Sequence, residues 1–309
     1  MRVLVTGATG FVGNRLVPAL LDAGHEVTVL VRDADRYGGP ADVRVVEGDL
    51  LEPGSFDRAL DVDAAYYLVH SMQSGGDFEE RDRRAARNFA DAASERGVER
   101  VVYLGGLGSG NDRLSKHLQS RREVEYILGE GDYELTTLRA AIIIGDGSAS
   151  FEMVKQLAKR LPVMITPRWV RTECQPIAID DVVAYLVGVL DVPETAGETY
   201  EIGGPDVLTY GELLQRTGER LGRHPRIVSV PVLTPRLSAY WVDLVTDVPR
   251  SVARPLIDGL KNPVVVEDNR IRELVSVELT PFDVAVQRAL GTDDDVATPT
   301  PSVEPTRAD

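Results

Sequence analysis

The chain has 309 residues, of which 43% are hydrophobic, 27% charged and 6% aromatic, a balance typical of a globular protein and not of a disordered one. Its 49 acidic and 34 basic residues give a formal charge of −15. Because a field of that sign repels phosphate backbones, no nucleic-acid partner is expected. The single cysteine, Cys174, cannot form an internal disulfide, and the chain shows no signal-peptide pattern, so a cytoplasmic protein is expected.

Lysine is scarce: it occupies only positions 116, 155, 159 and 261, and arginine supplies the other basic side chains. Such an acidic, lysine-poor composition is similar to that of halophilic proteins; an acidic bacterial protein from a GC-rich genome is the alternative. No apolar run approaches the ~18 residues that a transmembrane helix needs. The apolar segment 237–248 allows a peripheral contact with a membrane or a partner, with packing inside the protein as the alternative.

Short β-branched runs alternate with helical patterns along the first half of the chain, which predicts βαβ units around a parallel sheet. Strands are predicted over residues 2–6, 26–32, 43–47, 64–70, 101–104 and 135–138. Helices are predicted over residues 11–23, 55–60, 78–96 and 113–128. The expected fold class is therefore α/β, with a doubly wound parallel sheet.

The rhythm changes near residue 148, where proline becomes more frequent and the helical patterns lengthen, as over 151–160 and 210–221. We expect a dinucleotide-binding domain over residues 1–147 and a smaller C-terminal α+β substrate domain over 148–291. Residues 176–202 are expected to return in part to the sheet of the first domain. Residues 292–309 lack an apolar pattern and are expected to form a disordered tail.

A glycine-rich turn joins the first predicted strand to the first predicted helix. The residues expected to hold the diphosphate of a dinucleotide are Thr6, Gly7, Thr9, Gly10, Phe11, Val12 and Gly13. Gly7 permits the tight turn, Gly10 lets the backbone approach the diphosphate, and Gly13 lets the helix pack closely on the strand. The helix N-terminus adds donors and a partial positive charge. A structural glycine turn is the alternative, but the order of strand, turn and helix favours a Rossmann-type NAD(P) site.

The second predicted strand ends at the position that distinguishes the two nicotinamide dinucleotides. NAD sites place an acid there for the ribose 2′-hydroxyl, whereas an arginine accommodates the 2′-phosphate of NADP. Arg32 therefore favours NADP(H), while an inward-turned Asp33 would favour NAD(H). Arg36 is either a second phosphate donor or a solvated loop charge. Asp49 and Leu50 follow the third strand and are expected beside the adenine, although a helix-capping role explains Asp49 equally well.

The carboxyl end of the fourth predicted strand carries Val69, His70 and Ser71. Open α/β sheets bind ligands at that edge, so these residues are expected to contact the nicotinamide ribose or the substrate; a core histidine is the alternative for His70. Trp169, in a segment with arginines at 168 and 171, is expected either to cover the nicotinamide end or to pack within the second domain.

Several of these segments together resemble the extended and atypical short-chain dehydrogenase/reductases. The resemblance is carried by the glycine turn, by Leu68-Val69-His70, by Leu138-Arg139-Ala140 and by residues 176–182. Longer matches over 67–78, 139–152, 161–171 and 248–261 narrow it to the YbjT-like NAD(P)-binding proteins and extend it over nearly the whole chain except the tail. The resemblance implies a Rossmann-type domain that binds NAD(P), a small C-terminal domain, and a relation to sugar-nucleotide epimerases, NmrA-like redox sensors and the nucleotide-binding accessory subunit of respiratory complex I.

The catalytic residues of that superfamily are missing from their usual places. Its reductases use a Tyr-x-x-x-Lys pair on the helix after the fifth strand, yet none of the ten tyrosines here precedes a lysine by four positions. His117 and Arg121 keep that separation and share a helix face, so they are the candidate catalytic replacements. Histidine can exchange a proton near neutral pH, and arginine supplies a fixed charge. The usual serine is also absent, and Ser109 is either its substitute or a turn residue.

Three functions are consistent with these features. The leading hypothesis is an NADP(H)-binding oxidoreductase, with NAD(H) as the alternative cofactor, that acts on a carbonyl, enone or quinone-like small molecule. The second is a non-catalytic redox sensor or respiratory-complex-associated protein that passes its state to a protein partner. The third, a sugar-nucleotide epimerase or dehydratase, is weakened most by the missing pair. No metal site is expected, because Cys174 has no neighbouring ligand pattern.

Overall fold

The structure is a computed structural model that describes residues 1–70, 78–108, 115–161, 163–166, 168–229, 259–260 and 262–291, without the side chains at 165, 168 and 229. The expectations that concern Ser71, Ser109, residues 237–248 and residues 292–309 lie outside this part of the chain.

The first six strands follow the predicted alternation. They are β1 (Arg2–Thr6), β2 (Glu26–Val31), β3 (Arg44–Glu47), β4 (Ala64–Tyr67), β5 (Arg100–Gly106) and β6 (Glu134–Ala140). The later, mostly shorter strands are β7 (Ile143–Ile144), β8 (Val163–Thr166), β9 (Glu173–Cys174), β10 (Ile177–Ala178), β11 (Thr199–Ile202), β12 (Leu208–Thr209) and β13 (Arg226–Ser229).

Seven of these strands form one sheet in the order β11-β6-β5-β4-β1-β2-β3, and all neighbouring pairs are parallel. The order reverses between β1 and β4. In an open parallel sheet such a reversal leaves a crevice at the carboxyl ends of the strands, where ligands bind. The predicted Rossmann-type α/β fold is therefore confirmed, and its crevice lies at the β1–β4 junction.

Helices cover both faces of the sheet. They are α1 (Gly13–Asp22), α2 (Phe78–Glu95), α3 (Lys116–Leu128), α4 (Ala149–Arg160), α5 (Ile179–Asp191), α6 (Tyr210–Arg220), α7 (Ile271–Leu274) and α8 (Phe282–Ala289). One core contains apolar side chains of α1 and α5, and another contains those of α2 and α3. Parallel strands covered on both faces are buried and therefore near-continuously apolar, which explains the uninterrupted hydrophobic runs of β1 and β2.

Most predicted boundaries are shifted by one to three residues, and two predicted elements differ more clearly. The fourth predicted strand continues to His70, but β4 ends at Tyr67. Beyond Val5 and Tyr66 the Thr6 hydroxyl takes over the pairing: it donates to the Tyr66 carbonyl oxygen at 2.9 Å and accepts from the Leu68 amide at 3.2 Å. The predicted helix over 55–60 is only a 3-10 turn, Asp57–Ala59.

The second part of the chain is built on its own apolar core, with side chains from α4, α6 and α8. Three two-stranded pairs accompany these helices: β7 with β10, β8 with β13, and β9 with β12. Between them the chain returns to the first part, because α5 packs against α1 and β11 extends the large sheet beside β6. Strand β11 and helix α5, which lie within the second part in chain order, therefore join it to the large sheet and to α1.

Candidate functional site

A cleft of about 750 Å³ runs along the carboxyl ends of the strands and separates the sheet from the second part of the chain. The candidate residues that line it are Thr6, Gly7, Thr9, Gly10, Phe11, Val12, Gly13, Arg32, Asp49, Leu50, Val69, His70, His117 and Arg121. Asp33 lies elsewhere: it is exposed and pairs with Arg36, with 3.8 Å between Oδ2 and Nε. The structure thus brings together residues that are more than one hundred positions apart in sequence.

The glycine turn needs glycine at its two ends. Gly7 has a φ of +69°, in the left-handed region that side chains disfavour. A Cβ at Gly7 would also lie only 2.9 Å from the Leu68 carbonyl oxygen. At Gly13 a Cβ would overlap the Gly7 carbonyl oxygen and lie 2.8 Å from the Ala8 Cα. The turn can therefore close against both β4 and the start of α1 only with these residues.

The start of α1 offers unused hydrogen-bond donors to the cleft. Among the described residues, the amides of Phe11, Val12 and Gly13 have no acceptor. Val12 caps the helix without a side-chain hydrogen bond, and the first turn contains no acid. Helix N-termini of this kind bind anions through their amides and dipole. The observed backbone therefore fits the diphosphate of a dinucleotide.

Arg15 ties the glycine turn to the loop before α4. Its Nη1 donates to the Phe11 carbonyl oxygen at 2.8 Å, and its Nη2 donates to the Asp146 carbonyl oxygen at 2.7 Å. Its guanidinium also lies 4.8 Å from the centre of the Phe11 ring. These contacts fix the width of the cleft at the turn.

At the adenosine end of the cleft, Arg32 follows β2 and is exposed, without a hydrogen bond or ion pair to the described residues. Asp49 has a local structural role, because its Oδ1 accepts from the Leu51 amide at 2.9 Å. This is a local turn contact and not a helix cap, because no helix begins directly after Asp49; Asp49 lines the cleft as well. Asn88 fixes the neighbouring backbone by donating to the Leu50 carbonyl oxygen at 2.8 Å.

Sequence analysis missed a third cation in the cleft. Arg81, on α2, lines the cleft together with Ala85, one turn further along the helix. Its buried Nε has no hydrogen-bond partner within the described part of the chain, whereas the nearby Arg83 donates its Nε to Glu123 Oε1 at 2.7 Å. Arg81 and Ala85 are four positions apart and therefore share a face of α2. The sequence does not show which face of α2 points to the cleft, so it does not distinguish Arg81 from the other arginines of that helix.

The opposite end of the cleft contains two imidazoles and a guanidinium. The ring centres of His70 and His117 are 6.5 Å apart, in an edge-on arrangement. Arg121, one turn after His117 on α3, donates from Nη1 to the Leu104 carbonyl oxygen at 3.3 Å, and its own carbonyl accepts from the Tyr103 hydroxyl at 3.2 Å. Helix α3 begins at Ser115, whose Oγ accepts from the Leu118 amide at 3.4 Å.

Both imidazoles have a strongly lowered pKa. The nearby positive charge of Arg121 is the main cause that lowers the pKa of His70 to about 3, although His70 itself is exposed to solvent. Burial, followed by the same charge, lowers the pKa of His117 to about 3. Each ring is therefore neutral at pH 7. A neutral imidazole can donate an N–H hydrogen bond, whereas the proton exchange near neutral pH that is expected of His117 would need its protonated form.

The far wall of the cleft belongs to the second part of the chain and is apolar. Its lining side chains include Met153, Val154, Leu157, Leu213, Leu214, Leu260 and Val264. Trp169 and Tyr210 complete it and contact each other edge to face, with ring centres 6.1 Å apart. Trp169 thus borders the cleft and packs within the second part at the same time.

Metal ions and membrane spans find no support in the part of the chain that the structure describes. There, no group of three or more His, Cys, Asp or Glu side chains could hold a metal ion. Burial and the nearby Glu212 raise the pKa of the Cys174 thiol to about 12, so it is not a thiolate at neutral pH. No described helix is long and apolar enough to cross a bilayer.

The fold and the cleft define a dinucleotide-binding protein, and comparison with known proteins agrees. Residues 7–158 match a family model described as NAD(P)H-binding. The chain is 27% identical to subunit 9 of the alpha subcomplex of mitochondrial NADH dehydrogenase (ubiquinone) from Arabidopsis thaliana, over 87% of this chain and 71% of that protein. It is 29% identical to a ceramide reductase from Caulobacter vibrioides, over 74% of this chain and 73% of that protein.

Among solved structures, the triphenylmethane reductase of a Citrobacter species in complex with NADP(H) has a TM-score of 0.75 at 20% identity, covering 94% of this chain and all of that one. An epimerase from Thermus thermophilus in complex with NAD has a TM-score of 0.60 at 21% identity, covering 84% and 99%. These two share the fold. Residues 7–158 thus resemble the NAD(P)H-binding family, and the chain has the fold of NAD(P)-binding reductases and epimerases.

Proposed function

We propose that the chain is an NADP(H)-dependent reductase that transfers a hydride to a carbonyl, enone or quinone-like substrate. The observation that carries this proposal is the set of chemical groups that line one cleft: free helix amides, arginines for which the described residues provide no ion pair, two imidazoles of lowered pKa and an apolar wall. A phosphorylated dinucleotide needs the helix amides and the arginines. An uncharged hydride acceptor suits the imidazoles and the apolar wall. Two proteins to which the chain is similar are named as reductases, a ceramide reductase and a triphenylmethane reductase, which supports the proposed activity.

NADP(H) is favoured over NAD(H) by the surroundings of the second strand. Arg32 is free to bind a 2′-phosphate, and Arg81 adds positive charge to the same cleft. The acid that a ribose 2′-hydroxyl would need, Asp33, faces Arg36 instead. Asp49 and Leu50 would border the adenine. The amides at the start of α1 would hold the diphosphate.

When bound, NADPH supplies a hydride to the electrophilic carbon of the substrate, whose π electron pair moves to oxygen, and that oxygen takes up a proton. We assign His117 as the neutral N–H donor to this oxygen and Arg121 as the fixed charge that stabilises it, with water as the proton source. Val69 and His70 would contact the nicotinamide ribose. In this proposal residues 1–147 hold the nucleotide and residues 148–291 the substrate.

Two measurements test the proposal. The first is the dissociation constant of NADPH and of NADH, followed by nicotinamide fluorescence, and we expect tighter binding of NADPH. The second is NADPH oxidation with aldehydes, enones and quinones, where His117→Ala should reduce turnover and retain binding. A folded protein that binds neither nucleotide would refute the proposal.

One alternative has its own support. A redox sensor or respiratory-complex-associated protein would bind NADPH without turnover, and the chain lacks the Tyr-x-x-x-Lys pair and is similar to a subunit of mitochondrial NADH dehydrogenase. Tight NADPH binding without oxidation by any substrate of the panel would favour this function.

A further inference from the structure

The cleft separates its charges from its apolar surface. Its arginine, aspartate and histidine lining residues, among those described, are Arg32, Asp49, His70, Arg81, His117 and Arg121. All of them belong to the first 121 residues. From residue 142 onward none of the described lining side chains is charged, although 27% of the chain is. The nucleotide side and the substrate side of the cleft therefore have opposite chemical character.

The substrate side is part of a hydrophobic core and not a wetted surface. Met153 and Leu157 of α4 are 5% and 4% exposed, and Leu214 of α6 is 3% exposed. All three also belong to the apolar core of the second part. A charged group placed against this wall would lose its hydration and meet no described side chain of opposite charge there, which costs several kcal/mol.

The described polar atoms of the wall carry no charge, and the one buried donor among them that lacks an acceptor is the uncharged Nε1–H of Trp169. Ser148 lines the cleft, but its hydroxyl donates to the Ile143 carbonyl oxygen at 2.8 Å and accepts from the Phe151 amide at 3.4 Å. Trp169 and Tyr210 present aromatic surface, which suits a planar or branched apolar group. The wall thus has no described side chain that would neutralise a phosphate or a carboxylate.

From this asymmetry we propose that the substrate is an uncharged molecule with a large apolar body, bound with its reducible carbonyl at His117 and Arg121 and its hydrocarbon part against α4 and α6. This inference rests on the proposed reductase function and specifies its substrate class. Substrates that carry a nucleoside diphosphate on the non-reacting side are excluded. The reaction is the balanced one given above: hydride to carbon, electron pair to oxygen, proton from water.

A homologous series measures the apolar side directly. Purified protein with NADPH is given alkyl-substituted para-benzoquinones whose side chain lengthens from methyl to decyl. Each methylene that becomes buried contributes about 0.8 kcal/mol, so kcat/KM should rise about fourfold per methylene until the wall is covered, and then level off. A carboxylate at the end of the chain should abolish the gain.

Two variants on α4 locate the effect. Met153→Gln puts an amide into the wall and should flatten the dependence on chain length, with the dissociation constant of NADPH unchanged. Lys159→Gln introduces the same residue at an exposed position of the same helix that does not line the cleft, and it should behave as the wild type. If Met153→Gln fails to fold, Leu214→Ala, which enlarges the cavity, should shift the preferred chain length upward.

The experiment distinguishes failure of the proposed substrate class from failure of the proposed reductase function. Turnover that is independent of chain length, or highest for the carboxylated quinone, overturns the apolar substrate class and leaves the reductase intact. If NADPH is bound but not oxidised, the same quinones are titrated by calorimetry into NADP⁺-saturated protein. Affinity that rises with chain length then supports the apolar site alone, and affinity that does not rise overturns it.

Discussion

At the scale of single residues, Arg32 sets the expected preference for NADP(H). Replacing Arg32 by Asp removes a charge-assisted hydrogen bond worth ~1.5–3 kcal/mol and places a carboxylate beside the 2′-phosphate. We expect NADPH binding to weaken roughly 10- to 100-fold and NADH binding to strengthen. Titration of both nucleotides by fluorescence measures the ratio.

Arg36→Asp is the matched control for this change. Arg36 is exposed and pairs with Asp33, and it does not line the cleft, so its replacement should leave the ratio of the two affinities near the wild-type value. Equal losses of NADPH and NADH affinity in Arg32→Asp would contradict the assignment of the 2′-phosphate to Arg32.

Arg121 controls the protonation of the two imidazoles, and it does so unequally. Its charge is the main reason for the low pKa of His70, whereas burial is the main reason for that of His117. In Arg121→Gln the pKa of both should therefore rise from about 3, that of His70 by more. NMR titration of the imidazole C–H signals measures both values.

The low pKa of both imidazoles predicts that the pH dependence of kcat/KM shows no step from histidine titration. In the wild type kcat/KM should show no inflection near pH 6.5, the ordinary pKa of histidine, because both rings stay neutral from about pH 8 to pH 5. A rate that falls as the pH rises through that value would instead identify an imidazolium acid and contradict the neutral His117.

At this scale the sequence predicts what chain order and helix spacing determine. The glycine turn must follow the first strand, and His117 and Arg121 must share a face of one helix. Arg81 and the apolar wall were not predictable in this way, because they come from α2, α4 and α6 and meet only through tertiary packing. The neutral state of His117 also depends on burial, which no local pattern shows.

At the scale of elements, the fit between the glycine turn and α1 determines both folding and binding. A Cβ at Gly13 would overlap the Gly7 carbonyl oxygen, so Gly13→Ala must push α1 away from β1. Overpacking of this kind costs ~1–3 kcal/mol. We expect a lower free energy of unfolding in urea and a weaker affinity for NADPH, since the free amides move with the helix.

Gly24→Ala separates strain from binding. Gly24 has a φ of +81° and no atom near its Cβ position, so alanine there is strained but meets no neighbour, at a cost of ~1–2 kcal/mol. It should lower the free energy of unfolding and leave NADPH affinity unchanged. An unchanged NADPH affinity in Gly13→Ala would show that the start of α1 does not hold the diphosphate.

Strand positions follow well from the hydrophobic runs, but strand ends do not. The run that predicts a strand over 64–70 is apolar and aromatic nearly to its end, yet the Thr6 hydroxyl replaces the ladder after Tyr66. This exchange lets β1 and β4 separate and opens the crevice. It depends on a contact across sixty residues, which hydrophobic periodicity cannot reveal.

At the scale of the whole molecule, the cleft lies where the two parts of the chain are tied together. Strand β11 extends the large sheet after the chain has already formed α4, and α5 packs on α1. Arg15 adds a link from the glycine turn to Asp146. A nucleotide bound between these elements would therefore stabilise both parts at once.

Thermal unfolding tests this coupling. NADPH at about one hundred times its dissociation constant adds ~2.7 kcal/mol to the free energy of unfolding, which corresponds to a Tm increase of roughly 4 °C for a chain of this size. The increase should appear as one transition shifted as a whole. Two transitions, of which only one responds to NADPH, would show that the parts unfold independently.

Salt should act on the protein and on the complex in opposite directions. With a formal charge of −15, the free protein is destabilised by self-repulsion, which added salt screens, so its Tm should rise with salt concentration. NADPH is also an anion and is proposed to be held by Arg32 and Arg81, so screening weakens its binding. The difference between the Tm values with and without NADPH, at a fixed nucleotide concentration, should therefore narrow as salt rises. A difference that stays constant would mean that these arginines do not contact the phosphates.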